Sequence, residues 1–426
     1  MNTVFARLKQ LPAWLQENLA LILLTVALYC FVSKSLYNIL YAVMALLGMY
    51  RLLREPRFLQ QAAETRLFAL LFLAIWLPML LALTDAYDFQ RSVQTVMPYL
   101  RYFFVGAYVL YEATRRARLL QRLETAFFII VTFWSLDGLL QFLTGTDIFG
   151  YKYVHGVYIT GPFYPELTIG HILAGVSALY FESLRRRSQG RPWIWLLVIP
   201  LYIVVFDCGR RSVWFMLALN SLGFIVYHIT VARYRRRLMT QLLLGGMVIA
   251  LILGVVLATQ ETVQRRVHKT LGLFSTNIEK IDAATSNRID LWKTAWSMYT
   301  HHWINGIGPR DFRDAYRDYA HKDYMFYKTS QTHPHMVLME ILAESGSIGL
   351  AGYLYFLYLL LRTTRRYLDD KTCFACFLSL FTASFPINSH VAFYGAYWAS
   401  LLWWMVIFTL LNVRAVDASK IDMRRA

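Results

Sequence analysis

Leu67-Phe-Ala-Leu-Leu-Phe-Leu-Ala-Ile-Trp-Leu-Pro-Met-Leu-Leu-Ala-Leu-Thr84 runs for 18 residues without a charged side chain, between Arg66 and Asp85. That length and composition suit a helix crossing a bilayer, which needs roughly 20 apolar residues. Comparable runs recur at approximately 19–33, 36–50, 96–111, 123–143, 167–182, 193–206, 212–231, 241–260, 336–361, 372–385 and 391–413, about twelve in all. The shorter ones must be tucked among their neighbours or extend into flanking residues. Composition agrees, since 57% apolar and only 16% charged residues in a chain of 426 leave too little polar surface to clothe soluble domains. The expected fold is an all-α polytopic membrane protein: helices 1–9 in 1–260, a large outer loop or cap in 261–334, and helices 10–12 with a C-terminal tail in 335–426.

Lys and Arg favour the cytoplasmic side of short loops, so alternate loops give the orientation. Twenty-six of the 43 basic residues fall on one side, in groups such as Arg51, Arg54, Arg57 and Arg66, or Arg115, Arg116, Arg118 and Arg122. The short loops and helix ends of the other side hold six: Lys34, Arg91, Arg101, Lys152, Arg210 and Arg211. The loop 261–334 holds the remaining eleven and is large enough to be exempt from the rule. Both termini are therefore expected to be cytoplasmic, with the long loop outside. Basic residues placed between apolar runs, rather than along one stripe, make the bilayer and not a nucleic acid the partner of the +17 charge.

The first apolar run follows Arg7 and Lys9 as a signal sequence would, but no small-x-small cleavage site follows it, so it reads as an uncleaved span. Cys30, Cys208, Cys373 and Cys376 lie in or beside apolar runs and read as core residues, not as a disulfide framework or a zinc pair. In the long loop, Ile289, Trp292, Trp296 and Tyr299 recur at helical spacing, with Ser286 or Asn287 as the N-cap. Asn305-Gly-Ile-Gly-Pro309 closes that unit and opens the charged, tyrosine-rich 310–327. A short helical hairpin covering the outer face is expected.

Arginines on that face stand out because topology discourages them there. Arg210 and Arg211 occupy a tight turn between spans, Arg101 lies near the outer end of another, and Arg265, Arg266 and Arg288 come from the long loop. Guanidinium groups hold phosphate through paired, charge-assisted hydrogen bonds, so a polyanionic ligand is expected; snorkelling anchors are the plain alternative. Thr332-His333-Pro334-His335 leads into an apolar helix, with Pro334 suited to its first turn, and a neutral histidine there is placed to act as a general base. Glu340 and Glu344 follow on the same helix, either functional or paired with an arginine. Phe149, Tyr151, Tyr153, Tyr158, Phe163 and Tyr164 crowd the loop 144–166, suiting sugar faces or an interfacial belt. Asp85 and Asp88 have the wrong spacing for a compact metal-binding pair, and no P-loop or Cys/His cluster is present, so no cofactor is expected and the arginines take the electrostatic role.

Four segments together resemble the bacterial O-antigen ligase and O-antigen polymerase superfamily. They are Thr160-Gly-Pro-Phe-Tyr-Pro-Glu-Leu-Thr-Ile-Gly-His171; Gly209-Arg-Arg-Ser-Val213; Arg288-Ile-Asp-Leu-Trp292 with Asn305-Gly-Ile-Gly-Pro309; and His333-Pro-His-Met-Val-Leu-Met-Glu-Ile-Leu-Ala-Glu-Ser-Gly-Ser-Ile-Gly349. The motifs cover roughly 160–360. Met336 stands where the family often has Asn, and Glu166 replaces an Asn usual after the proline. Alignment on Glu344 and Gly346 makes His335 the matching histidine, and Arg211 matches the family's arginine better than Arg210.

The resemblance implies a GT-C-like glycosyltransferase moving a glycan from undecaprenyl pyrophosphate to a hydroxyl acceptor, for the ligase branch a sugar of the lipid A-core, at the outer face of the bacterial inner membrane. His335 would take the acceptor proton. Arg211 and Arg288 would stabilise the pyrophosphate, with Arg210, Arg265, Arg266, Arg101, His333 and Glu344 binding substrate, and the anomeric centre would invert. A polymerase, a protein-glycosylating ligase and a twelve-span transporter are the alternatives. The transporter leaves the cap and the His/Arg motifs unused, because transporters place polar groups near mid-membrane.

Overall fold

The computed structural model describes residues 12–425 apart from 117, 155–157, 330, 389–391 and nearly all of 232–260. The described helices are α1 (Ala13–Tyr29), α2 (Lys34–Arg54), α3 (Ala63–Leu81), α4 (Phe89–Arg115), α5 (Leu119–Thr144), α6 (Ile169–Gly175), α7 (Ser177–Arg187), α8 (Val198–Asp207), α9 (Arg211–Val231), α10 (Glu261–Leu271), α11 (Ile278–Thr285), α12 (Ile289–His301), α13 (Phe312–Tyr319), α14 (Val337–Arg366), α15 (Lys371–Ala383) and α16 (Ala396–Arg425), besides single turns. Side-chain caps set several of the starts. The Asp88 carboxylate accepts the Arg91 N–H at 3.1 Å to open α4, and Asp370 accepts the Cys373 N–H at 2.8 Å to open α15.

Among the described residues, six segments are long and apolar enough to cross a membrane: Ser35–Arg54, Ala63–Asp85, Leu119–Thr144, Arg211–Thr230, Val337–Arg366 and Ala396–Lys420. This fits a multi-pass membrane protein. Of the twelve spans expected, three more are present as shorter apolar helices, Glu17–Val32, Pro192–Asp207 and Lys371–Ala383. The run 96–111 lies in α4, which is 27 residues long but mixes Gln94, Thr95 and Arg101 into its apolar face. The run 167–182 is divided at Val176 into α6 and α7, and 241–260 lies outside the described residues. The four cysteines are free and buried, as their apolar settings imply.

α16 is the axis of the bundle: 83% of its apolar window is buried, against 28% for Ser35–Arg54 at the periphery. Trp403 shows why. Its ring centroid lies 5.2 Å from that of Phe72 on α3, and its indole N–H donates to the Tyr99 hydroxyl on α4 at 3.0 Å, so three helices meet on one side chain.

A second apolar cluster joins the cap to α14, through Leu291, Ala295 and Met298 of α12, Phe312, Ala315 and Tyr316 of α13, and Ala343. The helical hairpin is thus present, rotated from the expected face: Trp296 is half exposed, and Leu291, Thr294, Ala295 and Met298 turn inward. The large rings take the flank, where Trp296 packs on Tyr299, and small residues allow close approach to α14. The N-cap also differs. Ser286 and Asn287 hold left-handed backbone, and Asp282 Oδ1 accepts the Ile289 N–H at 3.1 Å instead.

α14 is interrupted at Gly346, whose φ of 60° and ψ of −155° lie outside the helical region. Into this break the segment 303–308 is hydrogen-bonded by its main chain: Ile307 N–H to Ala343 O (2.9 Å), Gly308 N–H to Glu344 O (3.1 Å) and Ser347 N–H to Trp303 O (2.8 Å). A Cβ on Gly346 would lie 2.3 Å from Ile304 O, and one on Gly306 2.4 Å from Ser345 N. Gly346→Ala therefore adds a clash to about 1–3 kcal/mol of backbone strain and is expected to lower the thermal unfolding midpoint by several degrees in detergent. An unchanged midpoint would refute this account of the joint.

Candidate active site

Two helix N-termini converge with their arginines. Arg210 precedes α9, its carbonyl accepting the Val213 and Trp214 N–H groups, and Arg211 is the first residue of that helix; Arg288 caps α12. Cations at a helix N-terminus oppose its dipole, so the placement costs stability unless an anion occupies the same region. Arg211 donates to the Ser286 hydroxyl at 2.5 Å, tying α9 to the turn before α12. Burial, followed by the charges of Arg211 and Arg210, lowers the Arg288 guanidinium to about 10, which leaves it charged at neutral pH.

His335 completes the cluster. It lies outside α14, which starts at Val337 with Met336 as N-cap, so Pro334 is not in a first helical turn as expected. Instead the Pro334 carbonyl accepts the Trp292 indole N–H at 3.1 Å, fixing the segment to α12. His335 adopts a left-handed φ of 56°, a strained conformation of the kind that collects at functional sites. Its ring centroid is 3.9 Å from that of His333. Burial pushes the His335 imidazolium down to about 2, with further depression from His333, Arg288, Arg210 and His171. His171, which the sequence reading did not single out, reaches the cluster from α6, its Nε2 3.4 Å from the Ser212 hydroxyl. Its place at the end of the 160–171 motif was the available signal.

The other expected residues lie elsewhere or act differently. Arg101 lines a separate cavity of about 180 Å3 with Arg310, Tyr102 and Tyr394, and donates to the Tyr102 hydroxyl at 2.7 Å. Arg310, not anticipated from sequence, has a left-handed φ of 73° and donates through its side chain to Thr332 O at 3.4 Å. Glu344, expected among the substrate-binding groups, is fully buried, and its Oε2 accepts the Arg310 N–H at 2.7 Å. Glu340 likewise accepts the Phe393 and Tyr394 N–H groups at 3.0 and 3.2 Å. Both carboxylates hold loops in place. Arg265 is exposed on α10, which also carries Arg266. In the aromatic loop Phe163 is buried against Trp134, whereas Tyr151 and Tyr164 stack at 4.7 Å and stay partly exposed. Asp85 and Asp88 do not converge: Asp85 pairs with His302 at 2.7 Å and Asp88 caps α4.

Residues 195–354 match the family model described as O-antigen ligase. This segment, less than half of the chain, is similar to the O-antigen ligase superfamily. The matched segment contains Arg210, Arg211, Arg265, Arg266, Arg288, His333, His335 and Glu344, while Arg101 and His171 are supplied by helices before it. Members of the superfamily are glycosyltransferase-like enzymes of O-antigen processing, working at a general level on lipid-linked glycans. No curated protein matches the chain.

Proposed function

We propose that the protein is an O-antigen ligase, transferring a glycan from undecaprenyl pyrophosphate to a hydroxyl of the lipid A-core at the outer face of the bacterial inner membrane. The convergence of Arg210, Arg211 and Arg288 beside a partly buried histidine supports this best. The acceptor oxygen attacks the anomeric carbon while His335 takes its proton. The bond from that carbon to the pyrophosphate oxygen breaks, and its electron pair leaves with the pyrophosphate. Pyrophosphate is a weakly basic leaving group and needs charge stabilisation more than a proton, which Arg211 and Arg288 provide through fork-shaped donors. Direct displacement inverts the anomeric centre; a retained linkage in the product would contradict it.

Donor and base are coupled. A pyrophosphate seated on the arginines cancels their share of the depression of His335, so the imidazole gains proton affinity when the donor is bound. In the free enzyme the neutral form persists far below the ordinary histidine value of about 6.5. Lowering the pH therefore does not remove the base, and kcat/KM for the donor, which reports the free enzyme, is expected to lack a histidine step between about 5.5 and 7.5. A single step near 6.5 that disappears in a His335 variant would overturn this.

The assignment is tested by incubating purified protein with a polyprenyl-pyrophosphate glycan and lipid A-core in the presence of a chelator. Ligated lipid A-core is the expected product, and extension of the glycan on its carrier instead would make the protein a polymerase.

A further inference from the structure

α4 runs 27 residues, about 40 Å at the rise of a helix, from the cap at Phe89 to Arg115. At its far end, among α1, α2, α4 and α5, lies a cavity of about 630 Å3 that takes no part in the chemistry above. Arg51, Arg115, Arg116, Arg118 and Arg122 line it, against two lining carboxylates, Glu17 and Glu112. Glu112 is deeply buried, its side chain 3% exposed, and is shared by Arg51 at 3.1 Å and Arg116 at 2.8 Å. Arg115 reaches Glu55 at 3.2 Å, and Arg122 donates to Asn18 at 2.5 Å. The frame is thus ordered by internal bonds and still carries excess positive charge.

The walls are not wholly polar. Trp14, Leu21 and Leu119 also line the cavity, and Trp14 on α1 and Leu53 on α2 are each 66% exposed on the outer surface of the bundle. A ligand here meets arginines at the helix ends and apolar surface along the helix flanks. Only an amphiphile with an anionic head satisfies both, and basic pockets between helices at a membrane interface bind such headgroups.

We infer that this cavity is a binding site for the phosphate-bearing headgroup of an anionic phospholipid, in the leaflet opposite the candidate active site. The lipid braces α1, α2, α4 and α5 at the arginine-rich end of the bundle.

The full chain, purified in a neutral detergent, is titrated with cardiolipin, phosphatidylglycerol or phosphatidylcholine and followed by native mass spectrometry and thermal unfolding. Retention of anionic lipid and a rise in unfolding midpoint are expected, with no rise from phosphatidylcholine. Arg118→Ala and Arg122→Ala should each weaken retention about fivefold, whereas Arg362→Ala and Arg365→Ala, at the same end but outside the cavity, should not. Equal loss in both pairs would reduce the effect to diffuse attraction and overturn the site. Inorganic pyrophosphate giving the same protection at equal phosphate would assign the cavity to a soluble anion and overturn the lipid. Should a cavity variant fail to fold, the lipid-specific shift of the unaltered protein decides: absence of any difference from phosphatidylcholine rejects the proposal.

Discussion

His335→Ala is expected to lower kcat for glycan transfer by about 10²–10⁴-fold, the contribution of a positioned general base, with a folded protein and little change in donor affinity. The neighbouring arginines cannot accept a proton, whereas His333 and His171 can, so these two histidines set the residual activity left to the variant. The left-handed backbone of His335 complicates the alanine variant, so His335→Asn is the companion, since asparagine tolerates that conformation and lacks the base. Transfer to lipid A-core, followed by the mobility of the product, and the unfolding midpoint are measured for both. Activity within tenfold of the parent in either folded variant would sink the base assignment.

Arg288→Ala carries the second large effect, about 10²–10³ in kcat, comparable to deleting one donor aimed at developing charge. Arg288→Lys is expected to recover little of it, because a lysine keeps the charge but loses the planar fork that meets a pyrophosphate on two oxygens. Removing this guanidinium also takes away one of the cations that depress His335. Any acid limb in the Arg288→Ala profile should therefore move to higher pH than in the parent. Full activity in the lysine variant would show that a point charge suffices, and an unmoved limb would separate Arg288 from the base.

Much of this was legible in the sequence, for identifiable reasons. The uncharged 18-residue run 67–84 announced α3, and apolar stretches interrupted by a few polar residues, Asp137 in α5 and Asn220 in α9 among them, announced α5, α9 and α16. The unusual positions of Arg211, Arg288 and His335 pointed to the cluster before any geometry. What escaped was set by tertiary contact. The Ser286 cap failed because the Asp282 carboxylate reached the vacant N–H first, and the inward face of α12 was set by how closely Ala295 lets it approach α14 rather than by its most apolar side chains. Arg101 separated from the other outer arginines because its place is fixed by Tyr102 on its own helix. Arg310 was invisible for a different reason. Its position follows from the Gly306-Ile-Gly308 segment entering the break in α14, a pairing between residues some 40 positions apart that no local pattern encodes.

That joint between 303–308 and 343–348 is built from main-chain groups and two glycines. A seat of this kind makes almost no demand on outward side chains, so exposed cap positions such as Lys293, Trp296 and Arg313 can be replaced without loosening it. The cap behaves as an interchangeable faceplate: its outer surface is free to diversify, while the groups beneath keep their register.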